Sequence, residues 1–294
     1  MVRQRRGSRA GLHVLLASLI SLSGGFALAA DPVLGELPAG AISTSETSGV
    51  SAEICRDHLF DPVSAGIKLP DGYRLRTAAE VAASDPSLAS LLEANPATRE
   101  FAVGSLCLMS FDTFIVDGQP VARSRDMAAA FWWVVADGPL QPNMRGKLRY
   151  VQIGSWYSND IGHEKQIRRT DPMAQFTQVV VKRLSPDTWH LSLTLPTETL
   201  EADIRATSPS KPRNAGGPGF MTVPMSGRKA NYFSVYTYAG HRIRDVEGNW
   251  RATGKGVFTD SFALPKEATA FGTIFEEAWT ARSGLYRFSL RATQ

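Results

Sequence analysis

The chain is poor in cysteine, with two among 294 residues, Cys55 and Cys107. They form no Cys-x-x-Cys pair, which excludes the usual zinc and dithiol motifs. Also missing are a Gly-x-Ser-x-Gly elbow, a His-Glu-x-x-His helix, a Walker phosphate loop and a Gly-x-Gly-x-x-Gly turn. Nothing in the motif content therefore calls for a metal or a cofactor, and none is expected. Gly216-Gly217-Pro218-Gly219 is rich in glycine, but its proline suits a turn better than a phosphate cradle. Past residue 29 no apolar run approaches the length of a membrane span. An excess of charge is missing too. The 32 basic residues outnumber the 28 acidic ones only through Arg3, Arg5, Arg6 and Arg9 at the start of the chain. Without them no basic field remains to attract nucleic acid or anionic lipid.

What the start does contain is a targeting pattern. The four arginines precede an apolar stretch over residues 12–28, and Ala27-Leu28-Ala29 offers the small-x-small site of a signal peptidase. Residues 1–29 are read as a signal peptide of an exported protein, periplasmic or extracellular. A membrane anchor is the alternative, but Ser21, Ser23, Gly24 and Gly25 break the run. In an exported chain an even cysteine count favours a Cys55–Cys107 disulfide over two buried thiols. Such a bridge would close a loop of roughly fifty residues and stabilise by about 3–4 kcal/mol.

Residues 30–52 are rich in Gly, Ser, Thr and Ala and read as a flexible lead-in. Residues 53–294 then form a single domain. Residues 77–95 read as helical, split at Asp85-Pro86 because proline suits a first turn and restricts its predecessor. From Phe101 the texture changes to strands. Residues 101–116 are long and apolar, and Asp117-Gly118 is a turn signal. Residues 127–136 lack a decisive period, although aromatic and β-branched residues tilt 131–135 towards strand. Strands are expected at 148–156, 175–184, 188–195, 200–206, 232–239, 249–258 and 285–290. Ser185-Pro186-Asp187 makes a hairpin, 208–219 a loop, and 273–281 a short helix. Many strands with one or two peripheral helices predict a mainly β, β-rich α+β fold, an antiparallel barrel or double-barrel-like domain.

Residues 232–250 are the densest chemical stretch. Strand alternation puts Tyr236, Tyr238, Arg242 and Arg244 on one face, with Phe233, Val235, Thr237 and His241 on the other. Gly240 can shift that phase, and His241 then joins the tyrosines. Phenols and guanidinium groups grip an acid while rings cover an apolar body. Trp156 and Tyr157, in the patch from Gly154 to Asp160, are added as candidate covers. The same residues also suit an ordinary half-exposed strand. His163-Glu164 is a weak acid/base pair because neighbours point apart.

Leu69-Pro70-Asp71-Gly72-Tyr73, followed by the cysteine-bearing strand ending at Val116-Asp117-Gly118-Gln119-Pro120, resembles the front of acetoacetate decarboxylase-like proteins. The resemblance covers about two-thirds of the chain after residue 29 as a pattern. It implies a β-rich cone or double barrel around an apolar cavity. It also implies a Schiff-base lysine whose pKa is depressed by a second lysine. This chain departs there, for it has no adjacent lysine pair. Lys147 and Lys165 lie in the corresponding region, with Glu164 or Asp160 as acid/base help. Three functions stay open: binding of a small, partly apolar organic acid, decarboxylase or lyase chemistry, and a cell-envelope interaction without a small ligand. The sequence leaves the oligomeric state open.

Overall fold

The structure, a computed structural model, describes residues 34–122, 127–139, 149–159, 161, 163–213, 218–224, 232–263 and 270–287. The first strands are β1 (Ser43–Ser48), β2 (Ala52–Phe60) and β3 (Arg74–Leu75), followed by helices α1 (Ala78–Ala82) and α2 (Pro86–Ala94). Then come β4 (Ala102–Phe111), β5 (Thr113–Val116), β6 (Gln119–Ala122), β7 (Met127–Asp137) and β8 (Arg149–Ser158). Helix α3 (Glu164–Thr170) leads to β9 (Gln175–Thr177), β10 (Val179–Ser185), β11 (Thr188–Thr194) and β12 (Glu198–Ala206). The rest is β13 (Lys211–Pro212), β14 (Pro218–Pro224), β15 (Tyr232–Ala239), β16 (Arg242–Arg244), β17 (Val246–Gly254), α4 (Val257–Ala263), β18 (Ala270–Glu277) and β19 (Thr280–Arg287).

Local signals explain many of these boundaries. Thr77 and Glu80 form a reciprocal capping box at α1, and the Asp85 carboxylate accepts from Ser87 N and Leu88 N ahead of Pro86 at α2. Asp117 and Gly118 both have positive φ, 49° and 75°, and join β5 to β6. Asp117 also accepts from Ser43 Oγ and Thr44 N, so the turn pins β1 as well. Ser185-Pro186-Asp187 turns β10 into β11 as expected.

Two sheets result. The larger runs β13-β16-β18-β2-β4-β7-β8-β14-β15-β19-β1-β5-β6, with β3 on β7 and β9 on β8. Four strands, β10-β11-β12-β17, form the smaller one. Most ladders are antiparallel, but β8 pairs in parallel with both β9 and β14. The expected β-rich α+β fold is present. Closure into a barrel is not: among the described residues the large sheet ends at β13 and β6 without pairing them.

Alternation along β7 shows the layering. Ala128, Ala130, Trp132, Val134 and Ala136 face the small sheet, packing with Trp189, Leu191, Leu193, Leu200, Ala202 and Ile204. Met127, Ala129 and Phe131 face the opposite way, towards Phe114, Tyr157 and Trp279. Farther along that face Val135 meets Leu88 and Leu92 of α2. Both faces of the strand are buried, so it carries no period-2 pattern.

Three expectations fail here. Residues 273–281 are not helical: 273–277 belong to β18, between β16 and β2, and the chain turns at Ala278 (φ 56°) into β19. Pairing on both edges overrides the helical propensity of that segment. Ser43–Ser48, read as lead-in, is β1, paired with β19 and β5. Residues 208–219 are not all loop, since β13 and the start of β14 fall in them; 214–217 lie outside the described residues. Residues 1–29, read from the sequence as a signal peptide, also lie outside them. No helix among the described residues is long and apolar enough to cross a membrane.

Gly240 ends β15 with φ 78°, and a β-carbon there would stand 2.8 Å from the Ala278 carbonyl oxygen. Gly240→Ala is expected to cost about 1–3 kcal/mol through strain and that contact, read as a lowered urea midpoint at unchanged m-value.

Candidate functional site: a carboxyl-bearing aromatic cavity

The large sheet wraps a cavity of about 70 Å³. Strands β1, β2, β4, β5, β7, β8, β15 and β19 all supply lining residues. Phe131 and Trp133 form one wall, their rings stacked at 5.7 Å. Tyr236 and Tyr238 form another, stacked at 6.2 Å, with Trp279 edge-on to Tyr238 at 5.5 Å. Ser45, Thr47, Ser234 and Ser283 add hydroxyls. Ser45 and Ser283 share a hydrogen bond of 2.7 Å across β1 and β19.

Two carboxyls reach this space, Glu53 and Asp171. Asp171 is buried and held on all sides. It accepts from Ser155 Oγ, from Tyr157 Oη at 3.1 Å, from Met173 N at 3.1 Å and from Gln152 Nε2 at 3.3 Å. Burial still raises its pKa above the usual carboxylate range, against these donors. The Tyr157 phenol is driven well up by its own burial and by the Asp171 charge, so it stays a donor. Asp171 thus orients Tyr157.

Glu53 is the freer group. Burial pushes it up to about 7, opposed by the nearby Trp279 indole and by the Arg213 guanidinium. The Trp279 nitrogen stands outside hydrogen-bonding geometry. Arg213 is paired instead with Glu276, which also accepts from His241 Nε2 at 3.0 Å. His241 is held down to about 4 by burial and by Arg213 and is neutral. Glu53 with the two cysteine sulfurs is the one cluster of metal-ligating atoms among the described residues. Both sulfurs are joined in the Cys55–Cys107 disulfide, between directly paired positions of β2 and β4, and are not thiolate ligands.

The residues singled out in the sequence divide. Tyr157, Tyr236 and Tyr238 line the cavity. Trp156 does not: adjacent strand residues face opposite ways, and it packs against the small sheet. The Gly240 turn carries the chain away from β15, so Arg242 and Arg244 leave the tyrosine face. Arg242 donates to Ser210 Oγ and O at 2.7 and 2.8 Å. Arg244 pairs with Glu277 at 2.9 Å and Asp187 at 3.0 Å. His241, as the shifted phase anticipates, stacks behind the site, 5.2 Å from Tyr238 and 5.8 Å from Trp279. Glu164 and Lys165 are exposed on α3 and do not line the cavity. Lys147 and Asp160 lie outside the described residues.

Sequence reasoning missed Glu53, Asp171, Phe131, Trp133 and Trp279 as site residues. Glu53 offered one signal, an acid beside a stretch of buried strand residues. Its direction depends on register, which the sequence does not display.

These features define a β-rich protein with a half-enclosed aromatic cavity carrying one available carboxyl. No family model matches the chain, and no curated protein matches it. Among solved structures it is similar to an acetoacetate decarboxylase from Legionella pneumophila (10% identity, 97% of each chain covered, TM-score 0.47). It is also similar to the enduracididine biosynthesis enzyme MppR complexed with pyruvate (12% identity, 88% of this chain and 99% of that one, TM-score 0.46). A second acetoacetate decarboxylase structure gives 7% identity, 85% and 90% coverage and a TM-score of 0.46. The acetoacetate decarboxylase-like resemblance noted in the sequence recurs there, and at these values no residue role passes from those proteins to this chain.

Proposed function

We propose that this protein binds a small, partly apolar organic acid in the aromatic cavity, with Glu53 as the acid's partner. The observation that carries the reading is a lining with one available carboxyl, pushed up to about 7, and no lysine or arginine among its described residues. Without a cation, a carboxylate is held by sharing a proton with a protonated carboxyl, the arrangement two close carboxyls adopt. Tyr236 and Tyr238 cover the apolar body, and Tyr157, whose one O–H is given to Asp171, adds its ring to the wall. This replaces the arginine grip expected from the sequence.

Titration calorimetry with butanoate and isovalerate at pH 6 and pH 8 tests the proposal. Saturable binding at pH 6 with uptake of about one proton per ligand is expected as the pH nears 8. Affinity that rises with pH, or binding of alkylamines instead, would overturn it. A carboxyl poised near neutrality also suits general acid/base work. The lyase reading uses the same residue, and product formation from a bound acid, followed by NMR, distinguishes catalyst from carrier. Export is part of the proposal, supported by the leader pattern and the disulfide. The large apolar side chains exposed among the described residues are Ile42, Val63 and Leu184, none of them aromatic, which gives an aromatic interaction patch no support.

A further inference from the structure

The cavity has a hydroxyl-bearing wall, built by β1, β19 and β15, that the grip at Glu53 leaves unused. Strand pairing arranges this wall in rows. Ser45 stands opposite Ser283, and Ser283 opposite Tyr236. One same-face step along, Thr47 stands opposite Ala281, and Ala281 opposite Tyr238. All six residues line the open volume. Glu53 belongs with the second row: its charge acts on Tyr238, and Trp279, edge-on to Tyr238, stands beside it. The Ser45–Ser283 row is therefore about two strand residues, or ~7 Å, farther along the wall.

The serine pair has hydrogen-bonding capacity to spare. The two hydroxyl oxygens are 2.7 Å apart, so one O–H lies between them and the other does not. Among the described residues neither hydroxyl has a further partner. Ser43, the next same-face residue of β1, differs in this: its hydroxyl is given to Asp117. The second O–H of the pair and its outer lone pairs are left for whatever occupies the cavity. A ligand hydroxyl can accept from that O–H and donate to a lone pair. A carbonyl can only accept, and a methyl group does neither.

We propose that Ser45 and Ser283 form a second subsite, for a hydroxyl at the far end of the bound acid, and so select short linear hydroxy acids over plain alkanoates. The inference rests on the reading of Glu53 as the acid's partner. The carboxylate sits at Glu53, the chain runs along the stacked rings of Tyr238 and Tyr236, and the hydroxyl reaches the serine pair beside Tyr236. A short linear acid with a terminal hydroxyl spans the ~7 Å between the two rows.

Titration calorimetry with 4-hydroxybutanoate and butanoate at pH 6 tests this, because the two acids differ by one hydroxyl. The native protein should bind the hydroxy acid about fivefold more tightly, the worth of a typical net hydrogen bond. The double variant Ser45→Ala/Ser283→Ala removes both partners, leaves no orphan hydroxyl and is expected to fold, with its thermal midpoint as the check. In it 4-hydroxybutanoate should weaken about fivefold and butanoate should bind no less tightly than in the native protein. Equal affinity of the native protein for the two acids, or a preference that survives in the double variant, would overturn the subsite and leave the Glu53 reading standing. Binding of neither acid by the native protein would overturn both.

Discussion

At pH 9 the Glu53→Gln variant is expected to bind butanoate about a hundredfold more tightly than the native protein. If a bound carboxylate needs the Glu53 proton, native affinity falls about tenfold per pH unit above about 7. Burial keeps Glu53 protonated to about that pH. Glutamine puts an amide N–H, which does not titrate, close to where the acid O–H stood. Its affinity should therefore be flat from pH 6 to pH 9, where butanoate itself stays ionised. A variant that keeps the native pH profile would place the critical proton elsewhere. The same residue affects folding. Its pKa is raised on folding, so its contribution is fully present below about 4.5 and is lost as pH rises through about 7. The Gln variant should lack that decline in unfolding midpoint between pH 4.5 and pH 7.

Reducing the Cys55–Cys107 bond should lower the unfolding free energy by about 4 kcal/mol, the chain-entropy value for a closed loop of this size. The two cysteines are 52 positions apart and enclose α1, α2 and β3. In the unfolded chain the bridge restricts that whole segment. In the folded chain it joins residues that the β2–β4 ladder already aligns, from Ala52↔Ser110 to Phe60↔Ala102. The fold should survive reduction, with Tm lower by about 10 °C. Calorimetry with and without dithiothreitol, with thiol titration to verify reduction, measures this. An unchanged Tm in fully reduced protein would show that the bridge adds nothing beyond the ladder.

The elements visible in the sequence were those set by neighbours. The Asp85-Pro86 helix start, the Asp117-Gly118 turn and the Ser185-Pro186-Asp187 hairpin each depend on a few adjacent residues, and all three form as expected. Tyr236 and Tyr238 could be placed on one face because the period of a strand is fixed by its backbone. Gly240 was legible as a break, although where the chain went afterwards was not.

Tertiary structure decided the rest. Residues 273–277 became strand because β16 and β2 flank them, and 127–136 had no period because both faces are covered. Arg242 and Arg244 left the site for acids at positions 187 and 277 and a serine at 210, partners set by strand order. Glu53 on β2 and Asp171 at the end of α3 line one cavity although they are far apart in the chain. By itself the sequence determined the local turns, the helix caps, the β-rich class and the cysteine pair available for bridging. Which acids share an enclosed space, and so have raised pKa values, depends on sheet register and burial, and those exist only once distant strands have paired.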